Sequence, residues 1–100
     1  MTLFEWDEAK AESNLRKHGI AFATAAKIFD DVYLMSEQDR LIDGELRWQT
    51  IGMVDDVLIL LVAHTITNDD QDEMVRIISA RPADRKERIR YGKNRQKNFG

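Results

Sequence analysis

The stretch MVRIISARPADRKERIRY, residues 74–91, decides the fold of this chain. It begins as an alternating run with β-branched residues, which is typical of a strand whose side chains point to opposite sides. The two predicted sides are Val75, Ile77 and Ser79 on one, and Arg76, Ile78 and Ala80 on the other. Pro82 ends the strand, Asp84 lies in the first turn of a helix, and Gly92 ends that helix. The strand and the helix gather several arginines around one corner, which favours a phosphate-binding site.

The residues before this stretch are predicted to form a short strand, two helices and then three further strands. Asp7 and Gly19 are suited to cap the first helix, and the apolar spacing from Phe22 predicts a second helix that ends at Asp30-Asp31. The predicted segments are a strand at Phe4–Trp6, a helix to His18 with Ala11, Leu15 and His18 on one face, strands at Val32–Ser36, Leu46–Val54 and Val57–Ala63, a polar loop at Glu37–Gly44 and an acidic loop at Ile66–Glu73.

These elements give the order β-α-α-β-β-β-β-α, which indicates an α+β fold. The spacing of the later strands is short enough for hairpin connections, so we expect antiparallel pairs there. We predict a single domain over residues 1–92 and a frayed basic tail over residues 93–100. One hundred residues suit one domain.

The composition narrows the class of protein. The chain has no cysteine, which excludes disulfides and thiolate metal sites. No apolar run reaches the roughly 20 residues of a membrane span, and no signal peptide is visible. We therefore expect a cytoplasmic protein with no membrane partner.

Charge is distributed unevenly along the chain. Residues 81–100 hold eight basic and two acidic residues, whereas residues 1–80 carry a net charge of −9. A local basic patch can bind a polyanion even when the protein as a whole is acidic.

Four separated blocks resemble the BrnT family of type II toxin–antitoxin toxins. They are FEWDEAKAESNLRKHGI, AFATAAKIFDD, GELRWQTIG and VRIISARPADRKERIRY, in the order and spacing of the family over residues 4–91. The resemblance implies a RelE-like fold, with two N-terminal helices packed on an antiparallel sheet and a C-terminal helix. It also implies a ribonuclease that inhibits translation by RNA cleavage, and neutralisation by a BrnA-type antitoxin in a complex of two toxins and two antitoxins. In such a complex only the antitoxin contacts operator DNA.

Ribonucleases of this class, as the resemblance implies, act without a metal or another cofactor. The ribose 2′-hydroxyl attacks the adjacent phosphate, so cations must stabilise the charge that develops there. Arg47, Arg76 and Arg81 are the candidates for this role, and Arg85 is a candidate RNA-binding residue. The alternative for Arg47 is a structural pair with Glu45 or an acid on the next strand, and Arg76 could equally be neutralised by a carboxylate.

Histidines and aromatic residues complete the candidate site. His18 is a candidate catalytic residue because histidine titrates near neutrality, and its neighbour Lys17 is a candidate RNA-binding residue. A structural reading also exists, since cations stabilise the end of a helix. His64 is a second histidine with a candidate RNA-binding role, although histidines at strand ends often only fill the core. Glu45 is the remaining candidate base.

Trp6 and Tyr91 are candidates to stack on RNA bases, and each could instead belong to the core. The acidic pairs at residues 30–31, 55–56 and 69–70 do not predict a metal site, because aspartate is common at turns. The leading prediction is a metal-independent RNA endonuclease. The alternative is a non-catalytic nucleic-acid- or protein-binding module that uses only the basic corner.

Overall fold

The computed structural model describes residues 1–99, and Gly100 lies outside the described residues. The fold is α+β, with three α-helices, a short 3-10 helix and one five-stranded sheet in that part of the chain. The elements are β1 (Thr2–Glu5), α1 (Glu8–His18), α2 (Phe22–Ala25), the 3-10 helix (Ala26–Asp30), β2 (Met35–Ile42), β3 (Glu45–Val54), β4 (Leu58–Asp69), β5 (Asp72–Pro82) and α3 (Arg85–Phe99).

The sheet is mixed, in the strand order β1-β5-β4-β3-β2. Strands β2 to β5 form antiparallel pairs through short turns, as expected from the spacing. The expectation of a wholly antiparallel sheet is wrong, because β1 pairs with β5 in parallel. Strand β1 forms one edge of the sheet, next to β5. The helices and strands β2 to β4 separate these two neighbours in the sequence.

The main core lies between the sheet and the two N-terminal helices. Asp7 accepts a hydrogen bond from the Lys10 amide at 3.0 Å and Gly19 has a φ of 72°, which confirms both predicted caps of α1. The 3-10 helix packs so closely on β3 that a Cβ on Gly52 would lie 2.7 Å from Ile28 Cβ. The buried apolar residues of this core are Ile20, Phe22, Ala25, Ile28, Val54, Leu60, Val62, Val75, Ile77 and Ala80.

Helix α3 covers part of the opposite face of the sheet. Tyr91 packs there against Ile51 and Leu61 in a smaller core. The Tyr91 hydroxyl donates to Asp31 Oδ2 at 2.5 Å, and the same oxygen accepts from the Met53 amide at 2.8 Å. These contacts fix α3 to the end of β3 and to the segment that follows the 3-10 helix.

Three predicted boundaries are wrong, and polar sequence explains each error. Residues 37–44 are mostly strand β2, an exposed edge strand that needs no apolar alternation and turns at Asp43-Gly44. Residues 66–73 are the extended ends of β4 and β5, joined by a tight turn at Asp70. Helix α3 continues past Gly92 to Phe99, so residues 93–99 are helical rather than a frayed tail.

Two predicted faces are also wrong. Ser79 of β5 pairs with Ala63 of β4, and Ile77 of β5 pairs with His64 of β4. Ile78 is therefore an extra residue in β5 that shifts the alternation of its side chains. Ala80 therefore joins Val75 and Ile77 in the core. In α1 the buried residue is Asn14, whereas Leu15 is 51% exposed.

Candidate active site

Three charged side chains from β3 and β5 converge beyond the part of the sheet that α3 covers. Glu45 and Arg47 are two residues apart on β3 and so point to the same face. Arg76 lies on β5, and β4 runs between these strands. Arg76 Nη2 donates to Glu45 Oε1, and the same oxygen lies 3.6 Å from Arg47 Nη2. One carboxylate therefore bridges two guanidinium groups; we call Glu45, Arg47 and Arg76 the arginine cluster.

The arginine cluster has charge and hydrogen-bonding capacity left over. Two guanidinium groups and one carboxylate leave one excess positive charge. Arg47 Nε is buried and has no hydrogen-bond partner within residues 1–99, and such an unsatisfied donor costs about 1–3 kcal/mol. The side chains of Arg47 and Arg76 are 21% and 40% exposed, so a solute can reach them. The cluster is thus suited to bind an anion whose oxygens supply the missing acceptor.

The structure combines the alternatives that the sequence left open for these arginines. Arg47 does approach Glu45, and Arg76 does bind a carboxylate. Both use the same one. That arrangement depends on the register of β3, β4 and β5, which the sequence pattern alone does not predict.

Arg81 lies at the predicted strand–helix corner but binds a different carboxylate. Its Nη1 and Nη2 donate to the two oxygens of Glu87 at 2.8 and 2.9 Å. Glu87 Oε1 also accepts a hydrogen bond from the Asp84 amide at 2.9 Å, and Asp84 Oδ1 accepts one from the Glu87 amide at 2.8 Å. The two bonds form a capping box at the start of α3. The hydrogen bond from Arg81 lowers the pKa of Glu87, and the pKa of Arg81 is raised in return.

These contacts give Arg81 a structural task. Arg85 is exposed and forms no ion pair among the described residues. The Asp84-x-x-Glu87 spacing is a known capping pattern, and it was the sequence signal for this arrangement.

His64 is completely buried on the helical side of the sheet. Its Nε2 lies 2.7 Å from Thr50 Oγ1, which in turn lies 2.7 Å from Ser36 Oγ. The ring packs edge-on against Phe29, and burial lowers the pKa of His64. An RNA-binding role for His64 does not fit this position, since the side chain has no exposed surface.

Lys17 and His18 line a separate cavity between α1 and β5. Its volume is about 290 Å³. Asn14, in the same wall, donates to the Ala80 carbonyl at 2.8 Å and accepts from the Ala80 amide at 3.0 Å. We call this space the lysine cavity; its lining residues are Lys10, Ser13, Asn14, Lys17, His18, Ile78 and Ser79.

Both aromatic candidates take part in packing. The Trp6 ring meets Phe22 edge-on at 6.0 Å, and only part of it remains exposed. Tyr91 is 1% exposed, so stacking on an RNA base does not fit its position. Burial, and then the bond to Asp31, raise the pKa of Tyr91 to about 12.

A further cavity contains neither the arginine cluster nor Arg81 in its lining. It has a volume of about 460 Å³ and includes Asp30, Asp31, Asp55 and Asp56 in its lining, so it is unsuited to an anionic ligand. No group of three or more potential metal ligands occurs within residues 1–99. None of the helices described is long and apolar enough to cross a membrane.

Comparisons with known proteins give a consistent result. Residues 6–87 match the family described as the ribonuclease toxin BrnT of type II toxin–antitoxin systems. The crystal structure of the Brucella abortus ribonuclease toxin BrnT is similar to this chain, with a TM-score of 0.60 and 26% sequence identity. The match covers 85% of this chain and 99% of that one. No curated protein sequence matches significantly.

Proposed function

Because the chain belongs to the BrnT family of ribonuclease toxins of type II toxin–antitoxin systems, we propose that it is a RelE-like RNA endonuclease that acts without a metal ion. The observation that carries this proposal is the arginine cluster, where two guanidinium groups share one carboxylate and Arg47 Nε lacks an acceptor. A phosphate group carries enough charge and enough oxygens to satisfy both arginines.

Arg47 and Arg76 hold the scissile phosphate in this mechanism. The phosphate takes over the contacts that Glu45 Oε1 makes in the free protein. When Glu45 moves away, the Arg47 side chain turns so that its buried Nε donates to one of the phosphate oxygens. The 2′-oxygen then attacks phosphorus and the bond to the 5′-oxygen breaks. Fixed guanidinium groups stabilise the charge on the phosphorane, and removing one such donor typically costs about 10²–10³-fold in rate.

Proton transfer falls to Glu45 in this arrangement. Once the phosphate has displaced it from Arg76, its carboxylate remains beside the reacting atoms and accepts the proton of the 2′-hydroxyl. The leaving 5′-oxygen takes a proton from water, and Glu45 later releases its own to solvent. The products are a 2′,3′-cyclic phosphate and a 5′-hydroxyl. His18, the base suggested by the sequence, lines the lysine cavity instead.

The partner and the setting follow from the family. We propose that a BrnA-type antitoxin neutralises this toxin in a complex of two toxins and two antitoxins, and that operator DNA is bound only through the antitoxin. Cleavage of RNA in the cytoplasm then inhibits translation when the antitoxin is absent. What supports this is the description of the matching family as toxins of type II toxin–antitoxin systems.

The test is RNA cleavage by the purified chain in EDTA, with product ends identified by mass spectrometry. We expect fragments that end in a 2′,3′-cyclic phosphate, and growth arrest when the chain is expressed alone. RNA that is bound but uncut would favour a non-catalytic binding module. Cleavage that requires a divalent cation would contradict the metal-independent mechanism.

A further inference from the structure

The stripe of α1 that faces the edge of β5 is polar, although a helix normally packs on a sheet with apolar residues. Its residues recur at helical spacing, and among the described residues the Asn14 side chain is the one member of the stripe that is hydrogen-bonded. Asn14 binds the backbone of Ile20 and Ala80 and so holds α1 on β5. The other members of the stripe leave the lysine cavity open; they are Lys10, Ser13, Lys17 and His18.

The lysine cavity is cationic, and its lining among the described residues contains no carboxylate. Within residues 1–99, the side chains of Lys10, Lys17 and His18 form no ion pair and no hydrogen bond. No acidic residue lines the cavity, although residues 1–80 carry a net charge of −9. A group of cations without acids in an otherwise acidic region indicates an anionic ligand.

The bulge in β5 connects this cavity to the arginine cluster. Arg76 pairs with Thr65 and Ser79 pairs with Ala63, so Arg76 and Ser79 lie on the same face of the sheet. The partners Ala63 and Thr65 are two positions apart on β4, which places Arg76 and Ser79 about 7 Å apart along the strand. Adjacent nucleotides of one RNA strand can span that distance.

We propose that the lysine cavity binds the phosphate of a nucleotide next to the one held by Arg47 and Arg76; this rests on the proposed ribonuclease function. Lys10 and Lys17 supply positive charge, and His18, Ser13 and Ser79 supply hydrogen-bond donors. Ile78 offers an apolar surface to the ribose or base. The RNA strand thus follows β5 from the open sheet face to the edge beside α1.

The experiment measures binding rather than cleavage. An eight-nucleotide 2′-O-methyl RNA, which cannot undergo 2′-attack, is titrated by fluorescence anisotropy at several salt concentrations. The Lys10→Ala/Lys17→Ala double variant is compared with the wild type and with Lys27→Ala/Lys97→Ala. The control removes the same charge from exposed lysines outside the cavity.

We expect the Lys10/Lys17 variant to bind about tenfold more weakly, and the slope of log affinity against log salt to fall by about 0.7 for each lost phosphate contact. The control variant should stay within about twofold of the wild type. Both mutated lysines are exposed, so the thermal midpoint should not change.

The outcomes distinguish the second phosphate subsite from the proposed nuclease activity. Unchanged affinity and slope in the Lys10/Lys17 variant, while Arg47→Ala weakens binding, would overturn the second phosphate subsite and leave the proposed nuclease intact. Weakened binding in a protein that cuts no RNA would support the subsite and overturn the proposed nuclease. Equal losses in the cavity and control variants would show a non-specific charge effect and would also overturn the subsite.

Discussion

The arginines on the sheet face under α3 and those beyond α3 differ in how many carboxylates neutralise them. Under α3, Arg81 has a carboxylate of its own, and Glu87 uses its oxygens both for Arg81 and for the helix cap. Beyond α3, Arg47 and Arg76 share Glu45, and Arg47 Nε has no partner among the described residues. The first arrangement is complete, whereas the second has room for another anion.

An arginine in a cluster of charges is therefore not enough to indicate an anion-binding site. What indicates one is positive charge and hydrogen-bond donors that the neighbouring carboxylates leave unsatisfied. A one-to-one bidentate pair at a helix start stabilises the fold and leaves little to gain from a ligand. A two-to-one cluster with a buried free donor is costly in the free protein and gains when an anion binds.

Truncating the arginine cluster should abolish most of the activity. Arg47→Ala and Arg76→Ala should each reduce RNA cleavage by about 10²–10³-fold, because each removes a cation from the phosphorane. The fold should persist, which circular dichroism can check. If either variant cleaves RNA at the wild-type rate, the assignment of that arginine is wrong.

Tyr91→Phe should lower the free energy of unfolding by about 2 kcal/mol at neutral pH, because it removes a buried hydrogen bond to a carboxylate. The folded pKa of Tyr91 is about 12, above the unfolded value near 10. Its extra stabilisation is therefore complete below pH 10 and is lost as the pH rises to 12. Unfolding of both proteins in urea across this range should show the difference shrinking; a constant difference would contradict it.

Arg81→Ala should affect stability rather than chemistry. We expect a loss of about 1 kcal/mol in the free energy of unfolding, since the ion pair is partly exposed. RNA cleavage should remain near the wild-type rate, and Arg85→Ala serves as the control without an ion pair. Loss of cleavage at unchanged stability would instead assign Arg81 to the catalytic site.

Glu45→Gln should strengthen RNA binding, whereas loss of Arg47 should weaken it. The amide no longer competes for the two arginines, so 2′-O-methyl RNA should bind about fivefold more tightly, or about 1 kcal/mol. Cleavage of ordinary RNA should slow, because the proton acceptor is gone. Glu87→Gln is the matched control and should leave RNA affinity unchanged. Weaker binding by Glu45→Gln would show that the carboxylate helps to hold the arginines for RNA.

Local rules recovered much of the fold from the sequence. The caps at Asp7 and Gly19, the turn at Asp55-Asp56 and the end of β5 at Pro82 each depend on neighbouring residues, and the structure confirms them. The polar edge strand β2 and the extended β4–β5 hairpin have no apolar alternation, so the pattern could not reveal them.

The candidate site was predictable only in part. Arg47, Arg76 and Glu45 were all identified, but their meeting at one carboxylate depends on pairing across β4. The extra residue Ile78 altered every face after it, and no sequence signal marked that bulge. Such long-range register lies beyond rules that concern neighbouring residues.

The most direct test of the arginine cluster is the NMR signal of the Arg47 Nε–H group during titration with uncleavable 2′-O-methyl RNA. This donor has no acceptor within residues 1–99, whereas the Arg81 guanidinium is already bound by Glu87. We predict a large downfield shift for Arg47 Hε as the phosphate binds, and little change for Arg81. A shift at Arg81 with Arg47 unchanged would contradict the account.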